Sequence, residues 1–151
     1  MDDNINKRFH LQLIQEVIKR MASNSFLLRG WSITLVIAIT TLAMSIDPTA
    51  IDRKAEKVSL IVIALFLAIV FWILDAFYLS QERCYRALYK DVCERDEKAV
   101  DFSMDASSYS VGRNTWAGSL SSRVFLVFYG SATFLLLIIL GRMIELNITF
   151  R

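Results

Sequence analysis

The chain has 151 residues, of which 55% are hydrophobic, with a formal charge of +2 and a mean hydropathy of +0.44. That length holds one domain, or a membrane domain with a small soluble appendage, and the apolar content exceeds that of ordinary soluble domains. So small a positive charge gives no reason to expect a nucleic-acid partner. One proline and five glycines leave few helix breaks, so long helices are allowed.

Residues 5–23 read as an amphipathic helix. Leu13, Ile14, Val17, Ile18 and Met21 share one face, with Lys7, Arg8, Gln12, Gln15, Glu16, Lys19 and Arg20 on the remainder. Asp2, Asp3 and Asn4 offer capping oxygens at its start. The mixture of acids and amides with the bases favours packing against another helix over lying on a membrane surface. Residues 26–46 form a first apolar span, with Arg29 able to snorkel and Trp31 suited to an interface. The long polar segment before it and the lack of a small-residue cleavage site argue against a cleaved signal peptide.

Asp47-Pro48 marks a turn, and Thr49 to Asp52 has the spacing of a capping box. The second span covers residues 58–79, uncharged from Val58 to Leu74, then broken by Asp75 and flanked by Phe77 and Tyr78. Helical patterning continues past it. Glu82–Arg86, Asp91–Arg95 and Glu94–Lys98 are acid-first pairs four residues apart, beside an apolar stripe of Tyr85, Leu88 and Val92. One helix from about residue 49 to about residue 100 would be roughly 75 Å long. Residues 101–123 are rich in serine and glycine and read as a loop, anchored by Phe102, Met104, Tyr109 and Trp116. Residues 124–141 form a third span, with small residues from Gly130 to Thr133 where helices could approach closely. Asn147 lies in a glycosylation-like triplet that chance readily produces. The expected fold is therefore all-α: an integral membrane bundle of three transmembrane helices with cytoplasmic helical extensions.

Twelve of the seventeen basic residues fall in the segment through Arg29 and in 81–123, which three spans place on one side of the membrane. That imbalance puts these segments and the N-terminus in the cytoplasm, with the C-terminus outside. Cys84 and Cys93 are the only cysteines and His10 the only histidine, too few for a structural zinc site. Nine residues apart on a helix, the cysteines would be about 13 Å apart along the axis, so both are expected as free thiols.

Asp75 is the one ionisable residue embedded in an otherwise apolar span. An intramembrane carboxylate is costly, and it is either paired structurally, with Arg29 for example, or used in a pore or gate. Arg20, Asn24, Arg29, Trp31, Arg83, Arg86 and Lys90 gather near the same membrane face in sequence, where guanidinium groups beside aromatics could hold a phosphate-bearing ligand. Basic residues also collect there simply because lipid headgroups are anionic. Catalytic motifs are missing: the sequence has no phosphate-binding glycine loop, nucleophile elbow or second histidine, so no enzyme is expected.

Three stretches carry a family resemblance: Arg20 to Ser32, Trp72 through Asp75 and Glu82 to Tyr89, and Asp101 to Asp105. They resemble small bacterial three-span membrane proteins encoded beside TIR-like proteins of Thoeris-type anti-phage defence systems. The resemblance implies a membrane effector that answers a nucleotide-derived second messenger made by a TIR-like partner, with no resident cofactor. A pore would then require a homo-oligomer in the bilayer. A non-conducting adapter that recruits the TIR-like protein is the other reading, and the resemblance supplies no ligand residues to carry over.

Overall fold

The computed structural model describes residues 3–46 and 51–149, with side chains described for 5–46 and 53–145. The expected caps at Asp2 to Asn4, the turn at Asp47-Pro48, the capping box through Asp52 and the Asn147 side chain fall outside that set. Among the described residues the regular structure is entirely helical: α1 (Asp3–Ser45), α2 (Ile51–Glu94), α3 (Trp116–Leu120) and α4 (Arg123–Thr149). Short 3₁₀ turns at Glu97–Ala99, Ser107–Tyr109 and Gly112–Asn114 connect α2 to α3. Two compact units share α1 and α2: Met1–Leu27 with Asp75–Ser121, and Leu28–Leu74 with Ser122–Arg151.

The amphipathic segment and the first apolar span are one continuous helix. Ser23, Asn24 and Ser25 do not interrupt α1, because no proline intervenes and the Ser25 hydroxyl is buried and bonded rather than competing for the backbone. In the first unit the apolar face of α1 packs on the C-terminal half of α2. Ile14 is fully buried among Cys84, Leu88 and Val92, and Val100 and Ala106 from the connecting segment complete the cluster. Leu11, Ile18, Tyr85, Tyr89, Met104 and Tyr109 close its edges.

α2 stops at Glu94, short of the expected end near residue 100. The last carbonyls of a helix lack intrahelical donors, and lysine can satisfy them favourably with respect to the helix dipole. Lys7 of α1 does this, its Nζ donating to the carbonyl of Arg95 at 2.7 Å and of Cys93 at 3.3 Å. The Glu82–Arg86 and Asp91–Arg95 pairs form at 2.7 and 2.6 Å. Lys98 lies beyond the helix end, so Glu94 pairs with Lys90 instead, at 3.7 Å.

The connecting segment is more ordered than a serine-rich loop. Asp101 accepts from the Ser103 amide, Ser103 Oγ from the Asp105 amide, and Asp105 from the Ser107 amide, three consecutive side-chain turns. Gly112 adopts φ +58°, and a Cβ on Gly118 would lie 2.5 Å from the Gly112 carbonyl oxygen, so both positions require glycine. Thr115 caps α3 through its hydroxyl, which accepts from the Gly118 amide at 3.0 Å.

The second unit is an up-down-up three-helix arrangement. Ala64 and Ala68 of α2 meet Leu136 of α4, with Val36 and Ile39 of α1 against them. Trp72 stacks on Tyr129 with centroids 6.1 Å apart, so α2 and α4 run antiparallel while α1 and α4 run parallel. Close helix approach comes from the α2 alanines. Gly130, expected to mediate such a contact, faces open space, with nothing within 4 Å of where a Cβ would stand.

All three helices are long and apolar enough to cross a membrane, and only 11, 28 and 17% of their apolar stretches are buried by protein. Phe26, Ile37, Phe66, Val127 and Phe134 point outward. So much contiguous exposed apolar surface needs a lipid solvent. The chain is a membrane protein.

Cys93 is exposed and Cys84 buried, neither in a disulfide, and burial pushes the Cys84 thiol above its ordinary pKa. A maleimide should therefore modify Cys93 readily in detergent and reach Cys84 only on unfolding. Mass spectrometry of singly labelled protein checks the assignment, and equal labelling of the two would contradict the packing.

Candidate functional site

The residues singled out in sequence divide among several jobs. Asp75 is fully buried on α2, and its carboxylate accepts a hydrogen bond from Ser25 Oγ of α1. A buried carboxylate needs donors, and a serine one helix away supplies one without adding charge. Ser25 itself was not singled out in sequence. Its signal was its position immediately before the span, which many unremarkable serines share.

Arg83 is committed to the connecting segment. Its guanidinium donates to the Arg113 carbonyl at 2.7 Å and to Ser119 Oγ at 3.3 Å, holding α3 and the preceding turn against α2. Burial and the nearby Arg113 charge lower its pKa from the usual arginine value, which leaves it protonated. Arg29 lies 5.2 Å from the Phe125 ring centroid, a cation–π contact within the second unit. Trp31 is 60% exposed, as an interfacial tryptophan would be. Arg20 is exposed and Asn24 half-buried on α1.

Two basic residues do come together in the first unit. Gln15, Ile18 and Lys19 of α1 and Arg86 and Tyr89 of α2 line a cleft of about 410 Å³. Gln15 Nε2 donates to the Tyr89 hydroxyl at 3.4 Å across it. Arg86 is held by Glu82, its Nε at 2.8 Å, while Lys19 has no ion-pair partner among the described residues. Lys19 and not Arg20 faces this cleft, because successive residues on a helix are rotated by about 100°. Lys90, one residue past Tyr89, turns outward to Glu94. The cleft offers two cations, an amide and a phenol at one place, a donor set suited to a phosphate or carboxylate beside a planar group.

A third polar cluster braces the end of α2. Tyr109 OH donates to Asp91 at 2.5 Å, and Arg95 holds the same carboxylate. The Tyr109 hydrogen bond, with Arg95 adding to it, holds the Asp91 carboxyl below its usual range, and the same bond raises the Tyr109 phenol. His10 is buried, its ring edge-on to Phe102 at 5.5 Å, and Phe102 takes φ +52° to reach it. Among the described residues no group of histidine, cysteine and acidic side chains could hold a metal ion.

Comparison of the chain with known protein families, with curated proteins and with solved structures finds no match.

Two consequences follow from these contacts. Ser25→Ala removes one donor from the buried Asp75 carboxyl and should cost about 1 kcal/mol of stability, read as a lower unfolding midpoint in detergent. Tyr109→Phe should destabilise the first unit in a pH-dependent way. Because Asp91 titrates lower when folded, its contribution is present above about pH 4 and lost as the pH falls through the folded value. The gap between wild type and Tyr109→Phe, measured by thermal unfolding, should therefore narrow as the pH is lowered below the ordinary carboxylate range.

Proposed function

We propose that this chain is the membrane effector of a bacterial anti-phage defence system. In this reading it assembles as a homo-oligomer and opens or disrupts the cell membrane when a nucleotide signal from a TIR-like partner binds. The observation that carries the reading is the cleft of Gln15, Lys19, Arg86 and Tyr89, because the two helices that line it also supply two of the three membrane-length stretches. A ligand drawing Lys19 and Arg86 together would change the spacing of α1 and α2, and stiff helices carry such a change along their length. Only differential affinity for the two states would shift the equilibrium between them. Apart from Arg29 over Phe125, the side-chain contacts described within the second unit are apolar, so in this reading a water path runs between subunits.

The reading places the N-terminus and the first unit in the cytoplasm and the C-terminus on the far side of the bacterial inner membrane, in line with the distribution of basic residues. Labelling of Cys93 in intact cells by a membrane-impermeant maleimide should fail, and succeed after permeabilisation. For function, cells carrying the chain and the TIR-like partner should lose membrane potential once the signal is made. Lys19→Gln with Arg86→Gln should prevent the loss at unchanged protein level. A potential that stays intact with the wild-type chain present would sink the proposal.

A second reading, a non-conducting adapter that recruits the TIR-like protein, is favoured by Ile5 and Phe9. They lie one turn apart on α1, each about 60% exposed, outside the apolar span. It predicts co-purification of the two proteins without nucleotide, and loss of the complex in Phe9→Ser.

A further inference from the structure

The second unit contains a groove that its own helices do not fill. It runs between α1 and α4, encloses about 880 Å³, and is floored by Ala68 of α2. Its walls recur at helical spacing, at positions 32–33, 36–37 and 40–41 of α1 and from 123–124 to 139 of α4. The α1 wall is therefore about 14 Å long, close to the ~15 Å of one leaflet's hydrocarbon. Apart from a few hydroxyls and Arg123, the lining is aliphatic and aromatic.

Arg123 stands at one end of this groove, as the first residue of α4. The parallel course of α1 and α4 puts Ser32 at that same end. Trp31, the preceding residue, is an exposed aromatic of the kind that sits at headgroup depth. The N-terminal turn of a helix is the unfavourable place for a cation, since the backbone dipole is positive there. Among the described residues no acidic side chain pairs with Arg123 to offset this. An external anion would be attracted by both the guanidinium and the helix end.

We infer that the α1–α4 groove is a seat for an anionic phospholipid, one acyl chain lying along the groove and the phosphate held at Arg123. A lipid of this kind meets the two demands together, apolar contact over one leaflet's depth and a negative charge at its mouth. The inference rests on the second unit alone and does not depend on the effector reading.

The full-length chain, delipidated in detergent, tests it by native mass spectrometry with added phosphatidylglycerol or phosphatidylcholine of identical acyl chains. Wild type should retain phosphatidylglycerol about fivefold better, the worth of roughly one basic residue at an anionic headgroup. Arg123→Gln should erase that preference. Ser131→Phe, which fills the groove from an exposed position on α4, should lower retention of both lipids and keep the preference. Circular dichroism on each variant confirms that the helices remain. Equal retention of the two lipids by wild type, or a preference that survives in Arg123→Gln, overturns the headgroup assignment. Competition by millimolar glycerol 3-phosphate overturns the acyl-chain assignment, because a soluble phosphate alone would then suffice.

Discussion

The seam between α1 and the C-terminal half of α2 is the contact on which the rest of the first unit depends. Ile14 is enclosed by Cys84, Leu88 and Val92, and residues from the connecting segment, Val100 and Ala106, pack on the same cluster. Burying a side chain such as Ile14 contributes about 1.5–3 kcal/mol, and an apolar seam is the main force available outside a lipid environment. Once α1 is fixed on α2, Lys7 reaches the open carbonyls that end α2, and Gln15 reaches Tyr89. The connecting segment then has a surface to fold on, where Arg83, Asp91 and Cys84 bind it.

The second unit obeys a different rule. Lipid removes the hydrophobic force between helices, so its contacts rest on fit: alanines facing Leu136, a stacked Trp72–Tyr129 pair, and Arg29 over Phe125. Several polar groups there are satisfied locally: Thr34, Ser59 and Ser131 bond back to their own helix carbonyls. The same economy appears at Asp75, whose carboxylate takes the Ser25 hydroxyl. Of the two roles that sequence reading leaves open for Asp75, a structural partner and a gate, the contact with Ser25 belongs to the first, as part of the bonding between α1 and α2.

The basic residues were the least legible part of the sequence. Arg83, Arg86 and Lys90 are alike on paper and separate in space: one clamps a turn, one shares a cleft with Lys19, and one pairs outward with Glu94. The difference depends on helical phase and on what the connecting segment offers to each side chain. Both are long-range matters. Arg20 was chosen in sequence where Lys19 faces the cleft, and nothing local distinguishes the two.

Composition and periodicity alone determined the helical class and the three membrane-length runs, because a span needs only enough consecutive apolar residues to cross the hydrocarbon. The acid-first pairs at Glu82–Arg86 and Asp91–Arg95 were equally local and equally legible. Tertiary structure showed where α2 ends, at Glu94, with the terminal carbonyls met by a lysine from another helix. It decided that 101–123 folds into turns pinned by Arg83, Asp91 and the Gly112–Gly118 approach, because those partners lie up to 36 residues apart. It also decided which faces stay open. A hydropathy pattern counts apolar residues but cannot tell the side of a helix that meets a neighbour from the side left to lipid.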